Sequence, residues 1–152
     1  MTTPTILSDA ASARGAKVDR SGAVRMQKAV ATVPDTTASA TVIGMIRFDK
    51  GFNLNGLAIK SDDLTAGTSL LLNVGYVYDD DTTYTNDADA FLQSTDIGQD
   101  GGSLVWPVAD GRLTGVGFTA EAPVYIAVTT AAAATDVAGD ISVIASFSYD
   151  AD

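Results

Sequence analysis

The stretch "SLLLNVGYVY" (residues 69–78) sets Leu70, Leu72, Val74, Tyr76 and Tyr78 on one side of an extended chain and Ser69, Asn73 and Gly75 on the other. Successive side chains of a strand point to opposite faces, so this alternation predicts a half-buried β-strand. The pattern spreads outward in both directions. In "APVYIAV" (122–128), Val124, Ile126 and Val128 share a face, and in "GDISVIASFSY" (139–149) Ile141, Val143, Ala145, Phe147 and Tyr149 do the same. In "ATVIGMIRF" (40–48), Val42, Ile46 and Phe48 are expected on one face with Gly44, and Thr41 and Arg47 on the other.

Further strands read at "VRMQKAVATV" (24–33), whose charges suit a sheet edge, and at "SLVWPV" (103–108) and "RLTGVGF" (112–118). "FDKG" turns the chain into "FNLNGLAIK" (52–60), where Asn55-Gly56 predicts a bulge or bend. "TTAAAATDVAG" (129–139) reads as a loop between strands. About eight short strands separated by Gly, Asp and Thr turns predict an all-β fold, a β-sandwich or jelly roll. Residues 1–23 show neither strand nor helix periodicity. They predict an extended N-terminal arm, drawn here as residues 1–33, ahead of a sandwich body at 34–152.

The chain has 152 residues, enough for one domain that needs neither disulfide nor metal to hold a core. It has no cysteine and no histidine. Those absences exclude a disulfide framework, a cysteine-containing zinc site and every Ser-His or Cys-His nucleophile pair. With a single glutamate, Glu121, and aspartates scattered everywhere, no carboxylate pair stands out as catalytic, and the chain is read as not an enzyme. No cofactor motif is present. The glycine pairs at Gly101-Gly102 and Gly115 to Gly117 lack the helix and lysine of a phosphate-binding loop.

The net charge of −10 is unevenly spread. Residues 1–28 hold five bases, Arg14, Lys17, Arg20, Arg25 and Lys28, against two acids, whereas from Ser61 onward fifteen acids face one base, Arg112. A basic arm on an acidic body suggests an arm that docks and a body that repels nucleic acid. No secretion signal and no bilayer-crossing run is legible, so the expectation is a soluble protein made in a cytoplasm, with no membrane partner.

The acids cluster in "VYDDDTTYTNDADAFLQS" (77–94). Asn86 resembles a helix N-cap, with Asp87 and Asp89 in the first turn and Ala88, Phe91 and Leu92 as an apolar stripe, so one short helix is expected here. Asp79, Asp80 and Asp81 then read as a solvated turn. The functional alternative is a calcium site with Asp79, Asp81, Asp87 and Asp89 as ligands, although the spacing departs from the EF-hand pattern. Trp106, before a proline, reads as a buried or subunit-contact aromatic rather than a sugar platform.

"KVDRSGAVRMQKAVATVP" (17–34), "IRFDKGFNLNGLAIKSDDL" (46–64), "LLNVGYVYDDDTT" (71–83) and "DADAFLQST" (87–95) together resemble a family of small virion proteins of tailed phages from marine and freshwater bacteria. The likeness runs in order from residue 17 to about 95 and is looser afterwards. It implies a capsid decoration or cement protein with a jelly-roll body, lying on the capsid exterior and bracing adjacent capsomers. The partners it implies are the major capsid protein and further copies of the chain, as homotrimers at local threefold positions. Arg14, Lys17, Arg20, Arg25 and Lys28 are then the capsid-contact candidates. The competing expectation is a phage head-fibre, knob or adhesin module, in which exposed aromatics such as Trp106, Tyr84 or Tyr125 would line a groove for host-surface glycans.

Overall fold

The computed structural model describes residues 6–8, 24–105 and 118–149. The strands are β1 (Ile6–Leu7), β2 (Arg25–Val33), β3 (Val42–Phe48), β4 (Phe52–Ser61), β5 (Leu71–Tyr78), β6 (Asp87–Thr95), β7 (Gly102–Val105), β8 (Val124–Ala131) and β9 (Gly139–Tyr149). One short helix, α1 (Ile97–Asp100), precedes β7.

Two sheets face each other. One has the order β1-β3-β8-β5-β6 and the other β2-β9-β4-β7. Among the described residues the pairings are antiparallel except β1 on β3, which is a two-residue parallel match of Ile6 with Ile43 and Leu7 with Gly44. From β2 onward the chain crosses repeatedly between sheets, giving two four-stranded layers in jelly-roll order. The expected all-β sandwich is therefore the observed architecture.

The alternations define the core. Val74, Leu72, Val124, Ile126 and Val128 from one sheet meet Ile59, Leu57, Ile141, Val143 and Ala145 from the other, all buried. At one end the aromatics collect: Phe48 stacks on Phe52 with ring centroids 3.8 Å apart, and Phe147 tilts against both. The turn between these two phenylalanines places Gly51 at φ +86°, a conformation that L side chains resist. The predicted irregularity at Asn55-Gly56 is a register shift between Leu54 and Gly56 where β4 pairs with β9.

The expected faces of β3 are corrected. A register shift between Gly44 and Ile46 lets Ile43, Met45, Ile46 and Phe48 all reach the main core. Val42 turns instead to the outside of the sheet and is buried there with Val77 and Ala127. A bulge resets the two-residue period, so alternation carried straight through it assigns the wrong side.

The expected helix at residues 86–92 is a strand. β6 spans Asp87–Thr95, and the short helix α1 lies just after it. Asn86 does cap something, but its side-chain oxygen accepts from the Tyr78 backbone N–H at 2.8 Å, closing the β5–β6 connection. Where β5 advances two residues, from Leu72 to Val74 and from Val74 to Tyr76, β6 advances three and then five, and these extra β6 residues allow Phe91 and Leu92 to be buried side by side. Two adjacent buried residues break strand alternation and imitate helical spacing. The β6 backbone also crosses the outer side of β5 closely: a Cβ at Gly75 would meet the Asp87 carbonyl and the Ala88 peptide.

The boundary of the arm moves as well. Arg25–Val33 form an integral strand paired residue for residue with β9, from Arg25 opposite Phe147 to Val33 opposite Gly139. Ala29, Ala31 and Val33 lie in the core. The sheet thus starts at Arg25 rather than after residue 33. Near the N-terminus, Ser8 is buried; its N–H donates to the Gly44 carbonyl at 2.8 Å and its hydroxyl to the Met45 carbonyl, seating residues 6–8 on the edge of β3. Residues 9–23 lie outside the described residues.

Candidate functional site

Three surface regions carry the residues of interest: the acidic connection after β5, an aromatic concavity beside it, and the outer face of the β2-β9-β4-β7 sheet.

Asp79, Asp80, Asp87 and Asp89 each have a hydrogen-bond partner. Arg47 donates from Nε and Nη2 to one Asp79 oxygen at 3.0 and 2.6 Å, and its Nη1 lies 3.5 Å from Asp49. The Asp79 hydrogen bond, opposed by burial, holds the Arg47 guanidinium above its ordinary value. Asp80 accepts from the Thr82 hydroxyl at 2.7 Å and from the Thr82 N–H at 3.2 Å, and those bonds hold its carboxyl below the usual range. Asp87 accepts from the Asp89 N–H, while Asp89 accepts from the Gln93 amide at 2.8 Å. Burial, followed by the neighbouring Asp89 carboxyl, pushes Asp87 upward.

Of the four candidate calcium ligands, the structure therefore joins Asp87 to Asp89 and gives Asp79 to Arg47. Among the described residues no group of three or more acids is placed to hold a metal ion. These acids thus have separate partners rather than a shared centre, Asp79 across the sheet and Asp87 and Asp89 within β6, and Asp81 lies in the turn between.

Beside this connection, Tyr76, Tyr78, Thr83, Tyr84, Thr85, Phe118, Thr119 and Glu121 line an open concavity of about 360 Å³. Tyr76 stacks on Phe118 at 4.4 Å, and Tyr78 lies 5.0 Å from Tyr84. Burial pushes the Tyr76 and Tyr78 phenols upward. Tyr84 stands in this hollow as the adhesin expectation asks. Tyr125 does not: it sits on the outer side of β8 beside Arg47 and Asp79, where burial and then Asp79 raise its phenol. Trp106 lies outside the described residues. The sequence separates this lining over more than forty positions, and only the closeness of Tyr76, Tyr78 and Tyr84 hinted at it.

Of the five basic candidates, Arg25 and Lys28 stand on β2, and Arg14, Lys17 and Arg20 lie outside the described residues. Alternation on β2 turns Met26, Lys28, Val30 and Thr32 to solvent while Ala29, Ala31 and Val33 face the core. The register then builds the outer face across the sheet. Lys28 is opposite Ile144, which is opposite Ala58, and Val30 is opposite Ser142, which is opposite Lys60. The outward positions of β9 are Asp140, Ser142, Ile144, Ser146 and Ser148. Asp140, at the end of the face, accepts from the Thr32 hydroxyl at 2.7 Å. The middle of the face carries no carboxylate, in a chain with nineteen acids. Sequence reading missed this face because it appears only once β2, β9 and β4 are known to be neighbours.

No protein-family model matches the chain, and no curated protein sequence matches it. Two solved structures share its fold. A chain from the capsid of Ralstonia phage GP4 superposes with a TM-score of 0.69 at 19% identity, covering 97% of this chain and 99% of that one. A chain from the cyanophage Pam1 capsid asymmetric unit gives 0.65 at 20% identity, covering 92% and 96%. Coverage this high on both sides means that both chains are close to this one in length and carry no additional large domain.

Proposed function

We propose that this chain is a structural virion protein, a cement or decoration subunit that binds the outer surface of a tailed-phage capsid and braces adjacent capsomers. The observation that carries the reading is the end-to-end likeness of a single jelly roll to a chain of similar length in the Ralstonia phage GP4 capsid. The residues fit a binding role better than a chemical one, since Asp79, Asp80, Asp87 and Asp89 are held by separate hydrogen-bond partners and there is no histidine or cysteine. The partners are the major capsid protein and other copies of the chain, as a homotrimer on the capsid exterior. Arg14, Lys17 and Arg20 would extend the contact from the N-terminal segment, with Arg25 and Lys28 at its root on β2. An acidic body keeps such a protein soluble until a shell exists, and a segment reaching a neighbouring subunit adds interface and avidity.

Heat rupture of purified shells tests this reading. Shells loaded with the protein should release their contents at a higher temperature than shells lacking it. Equal rupture temperatures at full occupancy would remove the bracing role.

The aromatic concavity favours a second reading, a head-fibre or adhesin-type module for host-surface glycans, because tyrosine rings beside threonine hydroxyls and Glu121 suit a sugar's apolar face and hydroxyls. Screening against host polysaccharides separates the two: saturable binding lost in Tyr84→Ala supports the adhesin.

A further inference from the structure

We infer that the outer face of the β2-β9-β4-β7 sheet is the docking surface, and that its occupant is a carboxylate-bearing protein surface with an apolar spot, on the shell. This rests on the reading of the chain as a shell-binding protein and names the part of the body that makes the contact.

Two independent features coincide on this face. The exposed large apolar side chains among the described residues are Val24, Met26, Val30 and Val137, and the first three lie on or just before β2, pointing outward. At the start of β2, Met26 is 72% exposed and Val24, just before the strand, 66%, and Val30 is exposed further along it. The second feature is charge. Lys28 and Lys60 stand diagonally across β9, with Ile144 and Ser142 between them, and neither forms an ion pair among the described residues. Arg47, by contrast, is held by Asp79 on the other sheet. The nearest carboxylates, Asp62 and Asp140, are turned to the backbone and to Thr32: Asp62 accepts from the Asp140 N–H at 2.9 Å. Lys28, Val30, Lys60 and Ser142 thus share a shallow hollow with Asp62 and Asp140, which close one end of it in hydrogen bonds to the Asp140 N–H and Thr32, and the two lysines stand there without an ion pair among the described residues.

Charge selects the occupant. A second copy docking about a twofold axis would set this patch against itself, lysine against lysine, which is unfavourable. Size points the same way. Strands about 4.8 Å apart, with nine-residue β2 rising about 3.3 Å per residue, make a face of roughly 14 by 30 Å, or on the order of 400 Å². Stable pairs bury about 800 Å² per partner, so this face alone would not hold a dimer in solution. It suits a partner that presents the complementary patch many times over and also engages the N-terminal segment.

Lysine acetylation of the full chain, free and bound to shells lacking it, reads the contact directly. The expected result is that Lys28 and Lys60 lose about tenfold or more of their reactivity on shells while Lys50, on the β3–β4 turn, keeps its own. In parallel, the Met26→Glu/Lys60→Glu double variant should bind shells about tenfold or more weakly with an unchanged melting temperature, and Ser39→Glu should bind as the parent does. If the chain binds shells but Lys28 and Lys60 stay fully reactive, the assigned face is wrong and the shell-binding reading survives. Protection in concentrated free protein without shells would make the occupant a second copy and overturn the inference. If the parent chain does not bind shells, both the reading and the face assignment fall.

Discussion

Arg47 of β3 reaches over Tyr125 of β8 to Asp79 beyond β5, donating twice to one carboxylate oxygen at 3.0 and 2.6 Å. This ion pair straps three neighbouring strands together on the outside of the sheet. Its side chains are 24% and 35% exposed, so solvent screens much of the attraction. Arg47→Ala should cost about 1 kcal/mol in urea unfolding at low salt. The difference from the parent should narrow in 1 M salt; a salt-independent loss would mean that the packing of the arginine stem matters more than its charge.

Asp87 and Asp89 make the opposite prediction. The Asp87 carboxyl is pushed above its ordinary value by burial and then by Asp89, so its charged form is disfavoured in the folded chain. A raised folded value gives a contribution that is complete below the unfolded aspartate range and is lost as pH rises through the folded value. Asp87→Asn keeps an oxygen for the Asp89 N–H and should therefore stabilise the protein at pH 7, by about 0.5 kcal/mol. Thermal melts across pH should show the gain disappearing in acid. A gain that persists there would have some other cause.

Gly75 has no room for a side chain. A methyl would stand on the Asp87 carbonyl and the Ala88 peptide, which are backbone and cannot rotate away. Gly75→Ala should destabilise by about 2–4 kcal/mol, with hydrogen exchange rising first along β6 as that strand is pushed off β5. A loss below about 0.5 kcal/mol would show that β6 moves freely against β5.

Truncation separates the N-terminal segment from the body. A chain starting at Val24 keeps β2 and, among the described residues, loses the short β1 pairing and the seat of Ser8 on β3. It should fold cooperatively with a modest drop in melting temperature. A chain starting at Pro34 lacks β2, which would bare the β9 edge and uncover the core beside Ala29, Ala31 and Val33. That chain should fail to unfold cooperatively or should aggregate. Far-UV and near-UV circular dichroism of the two forms decide it.

How much of this was legible depended on what each stretch had to encode locally. β5, β8 and β9 are buried on one face along their whole length, so period two was sufficient and their inward residues are those predicted. The bend at Asn55-Gly56 was readable because asparagine-glycine has a local reason to depart from a regular strand. β6 was not readable, because its own extra residues break the two-residue period and its acids imitate a helix cap. β2 was recognised as an edge strand yet assigned to the arm, since its charges face solvent while only small residues, Ala29 and Ala31, face in. The candidate surface shows the same division. Lys28 was singled out from charge layout alone, whereas its neighbours Ile144, Ser142 and Lys60 joined it only through pairings of strands more than thirty residues apart.

Whether the folded chain binds a phage shell decides its proposed role. Co-sedimentation with purified shells lacking this protein, using the full chain and the chain starting at Val24, tests that most directly. The full chain should bind saturably at a fixed ratio to the capsid subunit, and the truncated chain should bind more weakly but measurably through its outer sheet face. If the full chain stays in the supernatant at concentrations well above the shell's subunit concentration, it is not a capsid-binding protein and the account is contradicted.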